Sequence, residues 1–226
     1  MSFKEFIREL EGSRVEGTLI KTFIVSLIAS TFTFFILYFM FLQQYLDLSR
    51  HGFFLFFTLL SFALIIPAVR QVRAYHSFTC MGGMMIGMTA GMLAGFLTGF
   101  YIGATNGMVI GSLAGMAAGI LFGVWLGSCC GIMGFLEGIM AGFMGGLMGA
   151  MTSVMLFNDH LRAATVIIFL ISSVILIGLK YMIYLETREL KQERNQSYWF
   201  VILLSIVITA LTTGVIAFAP RSLLVQ

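Results

Sequence analysis

The sequence predicts an all-α integral membrane protein with about seven transmembrane helices. Of its 226 residues, 59% are hydrophobic and 10% are charged, and the mean hydropathy is +1.00. A soluble domain carries about 25% charged residues, so apolar surface on this scale must face lipid as well as a core. Because the bilayer offers backbone groups no water, long apolar runs become helices.

Residues 1–18 are polar but patterned. Ser2 and Glu5 have the spacing of a capping box, and Phe6 and Leu10 share one helical face. This pattern predicts a cytoplasmic amphipathic helix lying on the membrane surface. A solvated tail with a chance pattern is the alternative.

Apolar runs in residues 19–77 and 158–226 predict two membrane spans in each region. The four predicted spans are 22–44, 52–69, 163–184 and 198–219. Pro67 predicts a kink or a stop near the end of the second span. Between the last two spans, Glu186 to Arg194 forms a charged connector, predicted to extend a helix out of the membrane into the cytoplasm.

Residues 78–157 form a separate glycine- and methionine-rich unit. These 80 residues contain one charged side chain, Glu137, and neither histidine nor proline. As a single helix they would extend about 120 Å, four times the ~30 Å hydrocarbon thickness of a bilayer. The stretch must therefore fold back, in two, three or four passes.

The distribution of Lys and Arg favours three passes. With seven spans in total, ten basic residues fall on one side of the membrane and three on the other, a strong positive-inside bias. The ten are Lys4, Arg8, Arg14, Lys21, Arg70, Arg73, Lys180, Arg188, Lys191 and Arg194, and the three are Arg50, Arg162 and Arg221. An even number of passes removes the bias. The prediction is a cell-membrane protein with its N-terminus in the cytoplasm and its C-terminus outside.

Two short uncharged segments are the predicted turns of this unit. Residues 104–107, with Thr105 and Asn106 as turn formers, would lie outside, and residues 128–131 inside. Both imply tight hairpins. The three predicted helices thus form one triple hairpin.

Glycine recurs at every fourth residue from Gly83 to Gly131, and again from Gly134 to Gly146 after a shift of one residue. The period continues through both predicted turns, where helical geometry does not require it. Residues four apart lie on one helical face, so each helix carries a groove without side chains, which permits close helix packing in lipid. The glycines assigned to helix packing are Gly83, Gly87, Gly91, Gly95, Gly99, Gly111, Gly115, Gly119, Gly123, Gly138 and Gly142. The alternative roles of this glycine repeat are packing within the unit, packing between copies, and a narrow path lined by backbone carbonyls.

Thirteen of the 16 methionines lie in the same stretch. Two stripes have helical spacing, with thiols predicted at their cytoplasmic end. The residues assigned to a soft-metal site are Met84, Met88, Met92, Met140, Met144, Met148, Cys80, Cys129 and Cys130. Thioethers and thiolates are ligands that suit Cu(I), so copper is the metal that this set indicates. Methionine also packs well as an adaptable filler beside glycine, and packing is the alternative.

Glu137 is the single ionisable residue predicted well inside the membrane in this unit. An intramembrane carboxyl group is costly and marks a functional site by default. Coordination of a cation, transfer of a proton, and a neutral acid hydrogen-bonded to a neighbouring helix are the three interpretations.

Two functions follow from these patterns. The first is a transport or channel protein for a soft metal ion such as Cu(I). The second is a scaffold or accessory subunit whose glycine ladder drives assembly into a homo-oligomer or with a membrane partner. The net charge of +3 and the lack of a basic stripe argue against nucleic-acid binding, and no catalytic set of residues indicates an enzyme.

Overall fold

The computed structural model describes residues 19–39, 48–75, 78–128, 131–158, 160–187 and 198–219. This part of the chain forms seven α-helices and one short 3-10 helix at Leu156–Asn158. The helices are α1 (Leu19–Leu37), α2 (Leu48–Ala74), α3 (Cys80–Asn106), α4 (Met108–Gly127), α5 (Gly131–Met155), α6 (Leu161–Thr187) and α7 (Tyr198–Phe218).

Each of the seven helices is long and apolar enough to cross a membrane. The predicted class, an all-α multi-pass membrane protein with seven spans, is therefore confirmed. Residues 78–157 supply three of these helices. The predicted interfacial helix at 1–18 and the connector after Thr187 lie outside the described residues.

Of the kink or stop predicted at Pro67, the stop is wrong, because Pro67 lies inside α2 and the helix continues to Ala74. A proline removes one backbone donor, which a membrane helix tolerates where neighbouring helices cover the site. α2 is such a helix: most of its central span is buried, and Ala63, the residue whose carbonyl loses its partner, is fully buried. α6 also exceeds its predicted bounds, 163–184, by two or three residues at each end.

The seven helices pack as two groups. α3, α4 and α5 form an antiparallel three-helix unit in which each helix contacts both of the others extensively. In the second group, α2 contacts α1, α6 and α7, and α1 packs along α7. α3 belongs to the unit and also contacts α2, α6 and α7, so it joins the two groups.

The side-chain core of the protein lies on the face of α3 that meets α2. Ile86, Ala94 and Phe100 are fully buried there. The hydroxyl groups of Tyr101 and Ser61 lie 2.9 Å apart and form a buried hydrogen bond between α3 and α2. A hydrogen bond of this kind fixes the register of two helices in an otherwise apolar interface.

Candidate functional site

The interior of the three-helix unit is built from backbone rather than side chains. A methyl group placed on Gly91 of α3 would lie 2.9 Å from the Cα atom of Gly123 and 3.2 Å from the carbonyl oxygen of Gly138. One position on each helix therefore meets the other two in a single layer. Such contacts maximise dispersion and permit Cα–H···O interactions, which drive helix association in lipid.

Five layers of this kind follow one another along the unit. Each contains one small residue from each of the three helices. From the end where α3 begins, the layers are Gly87–Gly127–Gly134, Gly91–Gly123–Gly138, Gly95–Gly119–Gly142, Gly99–Gly115–Gly146 and Gly103–Gly111–Ala150. Of the eleven glycines assigned to packing, Gly83 alone lies outside these layers, next to Gly82 at the start of α3.

The layers explain why the four-residue period continues through the first turn. α3 ends at Asn106, α4 begins at Met108, and Gly107 between them is the centre of the hairpin. Glycines at equal distances before and after Gly107, such as Gly103 and Gly111, therefore lie opposite each other. A period that continues unchanged through the turn keeps every pair in register.

The second turn explains the shift of one residue in the ladder. Gly127 and Gly134 face each other across the hairpin of α4 and α5, so its centre falls between two residues. Gly131, at the start of α5, has a φ of 76°, and a Cβ atom placed on it would have no other atom within 4 Å. It supports the chain reversal, and the packing ladder resumes at Gly134.

The five layers leave no space for a path along the centre of the unit. A methyl group on Gly119 would lie 2.8 Å from the Cα atoms of both Gly95 and Gly142. A site too small for a methyl group is too small for a permeating ion with its ligands. The glycines of the five layers are consequently packed backbone to backbone, and no pathway runs between them.

The methionine stripes lie on the outside of the unit. On α3, Met88 and Met92 are 48% and 40% exposed, and Met84 is half-buried. On α5, the exposed stripe contains Met140, Met144, Met148, Met151 and Met155. These side chains face the membrane, on the sides of α3 and α5 away from the layers. We refer to the five methionines of α5 as the methionine face.

The predicted thiol site is described only in part. Cys80 is exposed at the first residue of α3, whereas Cys129 and Cys130 lie outside the described residues. Within the described ranges, no three His, Cys, Asp or Glu side chains are close enough to hold a metal ion.

Glu137 is half-buried on α5, next to the layer residue Gly138. It lies in the turn of α5 that precedes Met140. No described residue donates a hydrogen bond to its carboxyl group. It is thus an acid at the edge of a membrane-facing surface, without a hydrogen-bond partner among the residues that the structure describes.

Sequence reasoning treated Arg70 and Arg73 only as topology markers, but the structure places them in an arginine–aromatic cluster with Trp125, Tyr198 and Phe200. The Arg70 guanidinium is buried, donates a hydrogen bond to the Thr22 hydroxyl, and lies 4.4 Å from the centre of the Tyr198 ring. Cation–π contacts of this kind are strengthened by desolvation. The cluster joins α1, α2, α4 and α7 at one end of the bundle.

Arg73, one helical turn further along α2, is exposed. Its guanidinium carbon lies 4.3 Å from the centre of the Phe200 ring and 5.4 Å from that of Trp125. The cation thus sits between α4 and α7. The sequence signal was available: two arginines three residues apart, close to the end of an apolar span, share one helical face.

Two further contacts join the helices at this same end. The Glu186 carboxylate accepts a hydrogen bond from the Thr79 backbone N–H at 2.7 Å and another from the Thr79 hydroxyl, so α6 caps the start of α3. Gln71, fully buried on α2, donates a hydrogen bond of 3.3 Å to the Lys180 carbonyl oxygen on α6. The end of the bundle that carries the arginines is therefore also rich in polar contacts.

A long apolar groove runs between α4 and α7, with α2 and α3 at its base. Its volume is about 520 Å³. Small side chains on α4 (Ala114, Ala117 and Ala118) create the space, and Trp125 closes one end. Leu121 and Leu211, 69% and 63% exposed, form its rims, so the groove opens to the membrane.

Comparisons with protein-family models, curated proteins and solved structures give no match to this chain. Three features of the structure bear on function: the glycine layers, the membrane-facing methionines with Glu137, and the groove beside the arginine–aromatic cluster. What these features establish directly is a multi-pass membrane protein built around a three-helix unit with a backbone core.

Proposed function

We propose that this protein is a membrane scaffold or accessory subunit, in which the three-helix unit presents the methionine face and Glu137 to a second copy or to a membrane partner. The observation that carries the proposal is the position of Glu137, half-buried beside a membrane-facing surface and without a hydrogen-bond donor among the described residues.

The free-energy cost of a carboxyl group at this position favours a surface that is covered by another subunit. A charged side chain at the centre of a membrane helix costs about 2.5–3.5 kcal/mol on insertion scales, so such groups pair with each other or with backbone groups. Glu137, six residues after the start of α5, incurs part of this cost. Within the described part of this chain, Glu137 has no such pair. A donor from another subunit would remove the cost.

The methionine face suits the same role. Methionine is unbranched and adapts to irregular surfaces, which is why it is frequent at binding surfaces. All five side chains are between 45% and 67% exposed. The glycine layers behind them hold α5 by backbone contacts, so this surface rests on a rigid support.

Soft-metal transport is the second candidate, and one observation favours it. The stripe of Met84, Met88 and Met92 runs along α3 to the exposed thiol of Cys80. Thioethers leading to a thiolate give the graded ligand set that Cu(I) transfer needs. Because the centre of the unit is closed, such a path would run along the outside of α3 and α5, between two subunits.

The proposal includes an orientation in the cell membrane. The basic residues Lys21, Arg70 and Arg73 lie at the end of the bundle that carries the arginine–aromatic cluster. Lys180 lies towards the same end of α6, where its carbonyl oxygen accepts from Gln71, and Arg162 lies at the opposite end of α6. The positive-inside rule then puts the cluster on the cytoplasmic side. Labelling from outside the cell should modify a cysteine introduced at Arg162 and leave one at Thr187 unmodified. The reverse result would overturn the orientation.

Cross-linking in native membranes tests the scaffold proposal. In a variant without Cys80, Cys129 and Cys130, Met144→Cys is compared with Val174→Cys, a control that is 69% exposed on α6. Oxidation should join Met144→Cys by a disulfide to the same cysteine of a second copy, or to a cysteine of a partner protein of different mass. It should leave Val174→Cys monomeric. Glu137→Leu should weaken copurification of the same species. Equal cross-linking of both variants, or none, would reject the assembly surface.

Metal content separates the two candidates. The scaffold proposal expects cells expressing Met88→Leu and Met144→Leu to hold as much copper as cells expressing the parent protein. Loss of copper accumulation or resistance, with the protein folded and assembled, would establish transport instead. Elemental analysis of the purified protein, with and without its cysteines, supplies the matching in vitro measurement.

A further inference from the structure

We infer that the groove between α4 and α7 binds one acyl chain of an anionic phospholipid, and that Arg73 binds the phosphate of its headgroup. This site is separate from the methionine face, and the inference does not depend on the proposed scaffold function. It rests on three properties of the groove: its polarity, its length and the charge at one end.

The groove accepts an apolar occupant only. Thr98 and Thr212 are the two polar residues that line it. Their hydroxyl groups are already engaged, because Thr98 donates to the Ala94 carbonyl oxygen at 2.7 Å and Thr212 to the Ile208 carbonyl oxygen at 2.9 Å. A polar ligand would lose its hydrogen bonds to water without gaining others in the groove, whereas a hydrocarbon chain has no hydrogen bonds to lose.

The length of the groove matches one leaflet. On α4 its lining extends over the twelve residues from Ala114 to Trp125, whose Cα atoms span about 17 Å at the helical rise. Half of the ~30 Å hydrocarbon thickness is about 15 Å. One acyl chain of ordinary length therefore fills the groove from end to end.

The charge is located where the headgroup of that lipid would lie. Trp125 closes the groove at the end near the membrane surface, two residues before α4 ends, and the Arg73 guanidinium lies against its ring. Contact with Phe200 holds the same cation beside the first turn of α7. A guanidinium binds phosphate through two parallel hydrogen bonds, which any phospholipid can accept. A headgroup of net negative charge is favoured over a zwitterionic one, because the cationic group of the latter repels the guanidinium.

Lipid retention tests the inference. The protein is reconstituted in vesicles of equal parts phosphatidylglycerol and phosphatidylcholine, extracted mildly, and its retained lipids are identified by native mass spectrometry. The parent protein should retain phosphatidylglycerol about fivefold over phosphatidylcholine, the preference expected of one basic residue near the surface. Equal retention of the two lipids would overturn the assignment of the headgroup.

Two pairs of variants separate chain binding from headgroup binding. Ala118→Leu fills the groove and should abolish retained lipid, whereas Ala163→Leu, exposed at the start of α6, should not. Arg73→Gln should lower the ratio of retained phosphatidylglycerol to phosphatidylcholine to about one, and Arg73→Lys should keep most of the preference for phosphatidylglycerol. Circular dichroism and a thermal melt verify the fold of each variant. Unchanged retention in folded Ala118→Leu would overturn the inference.

Discussion

Gly119 of α4 lies so close to Gly95 of α3 that a methyl group on Gly119 would approach the Gly95 Cα atom to 2.8 Å. The two helices therefore meet backbone to backbone. We expect Gly119→Ala to lower the free energy of unfolding by about 1–3 kcal/mol, the usual cost of overpacking.

Gly178 is the matched control, because it is also helical but has nothing within 4 Å of its potential Cβ. Gly178→Ala should be neutral or should stabilise the protein by up to about 1 kcal/mol, from helix propensity alone. Reversible unfolding in mixed micelles, followed by circular dichroism, compares the two. Equal effects would contradict the backbone-packed layers.

The two turn glycines should respond differently to asparagine. Gly107 has φ 107° and ψ 172°, a conformation that is essentially restricted to glycine, so Gly107→Asn should cost about 1–3 kcal/mol. Gly131 has φ 76°, a positive value that asparagine tolerates better than most residues, and has open space around its potential Cβ. Gly131→Asn should therefore lower the free energy of unfolding by less than Gly107→Asn does. A larger loss at Gly131 than at Gly107 would refute this account of the hairpins.

Glu186 should stabilise the start of α3, because the N-cap residue Thr79 donates hydrogen bonds to its carboxylate. Glu186→Ala removes the acceptor for the Thr79 N–H and should cost about 1–2 kcal/mol. Amide hydrogen exchange at the start of α3 should accelerate, while exchange near the layers stays slow. Glu137→Gln, which removes a charge without a described partner, is the control and should leave exchange at Thr79 unaltered.

Asn106 should stabilise the end of α7. Its side-chain amide donates to the carbonyl oxygens of Val215, Ile216 and Ala219, the last at 3.0 Å. Asn106→Asp keeps the shape, removes the donor and should cost about 1–3 kcal/mol. Thr152→Val, whose lost hydrogen bond is internal to α5, should change stability by less than about 0.5 kcal/mol. Thermal melts of the two variants provide the comparison.

The sequence predicted the parts of the fold that periodicity and charge determine. The presence of a single charged residue in 80 and the positions of Lys and Arg were sufficient to predict three helices between residues 78 and 157. The glycine spacing predicted a small-residue face on each helix. The position of each hairpin turn decides which glycines share a layer. The shift after Gly131 follows from the position of the second turn, which places Gly127 opposite Gly134.

Contacts between distant residues were beyond sequence reasoning. Asn106 was interpreted as a turn former, but its partners lie more than 100 residues away on α7. Likewise, the spacing of Met140, Met144 and Met148 gave a helical face but not its direction, and the structure turns that face to the membrane. The helical period predicts which residues share one face of a helix, whereas tertiary packing determines what that face contacts.

The five layers also constrain how this protein can change over generations. In an ordinary core, an enlarged side chain can be accommodated by shortening one of its neighbours. A glycine layer has no side chain left to shorten, so growth at Gly95 cannot be offset by any change at Gly119 or Gly142. Variation should therefore accumulate on the outward surfaces, and drift in the layers should stay confined to positions such as Ala150, where a methyl group is already accommodated.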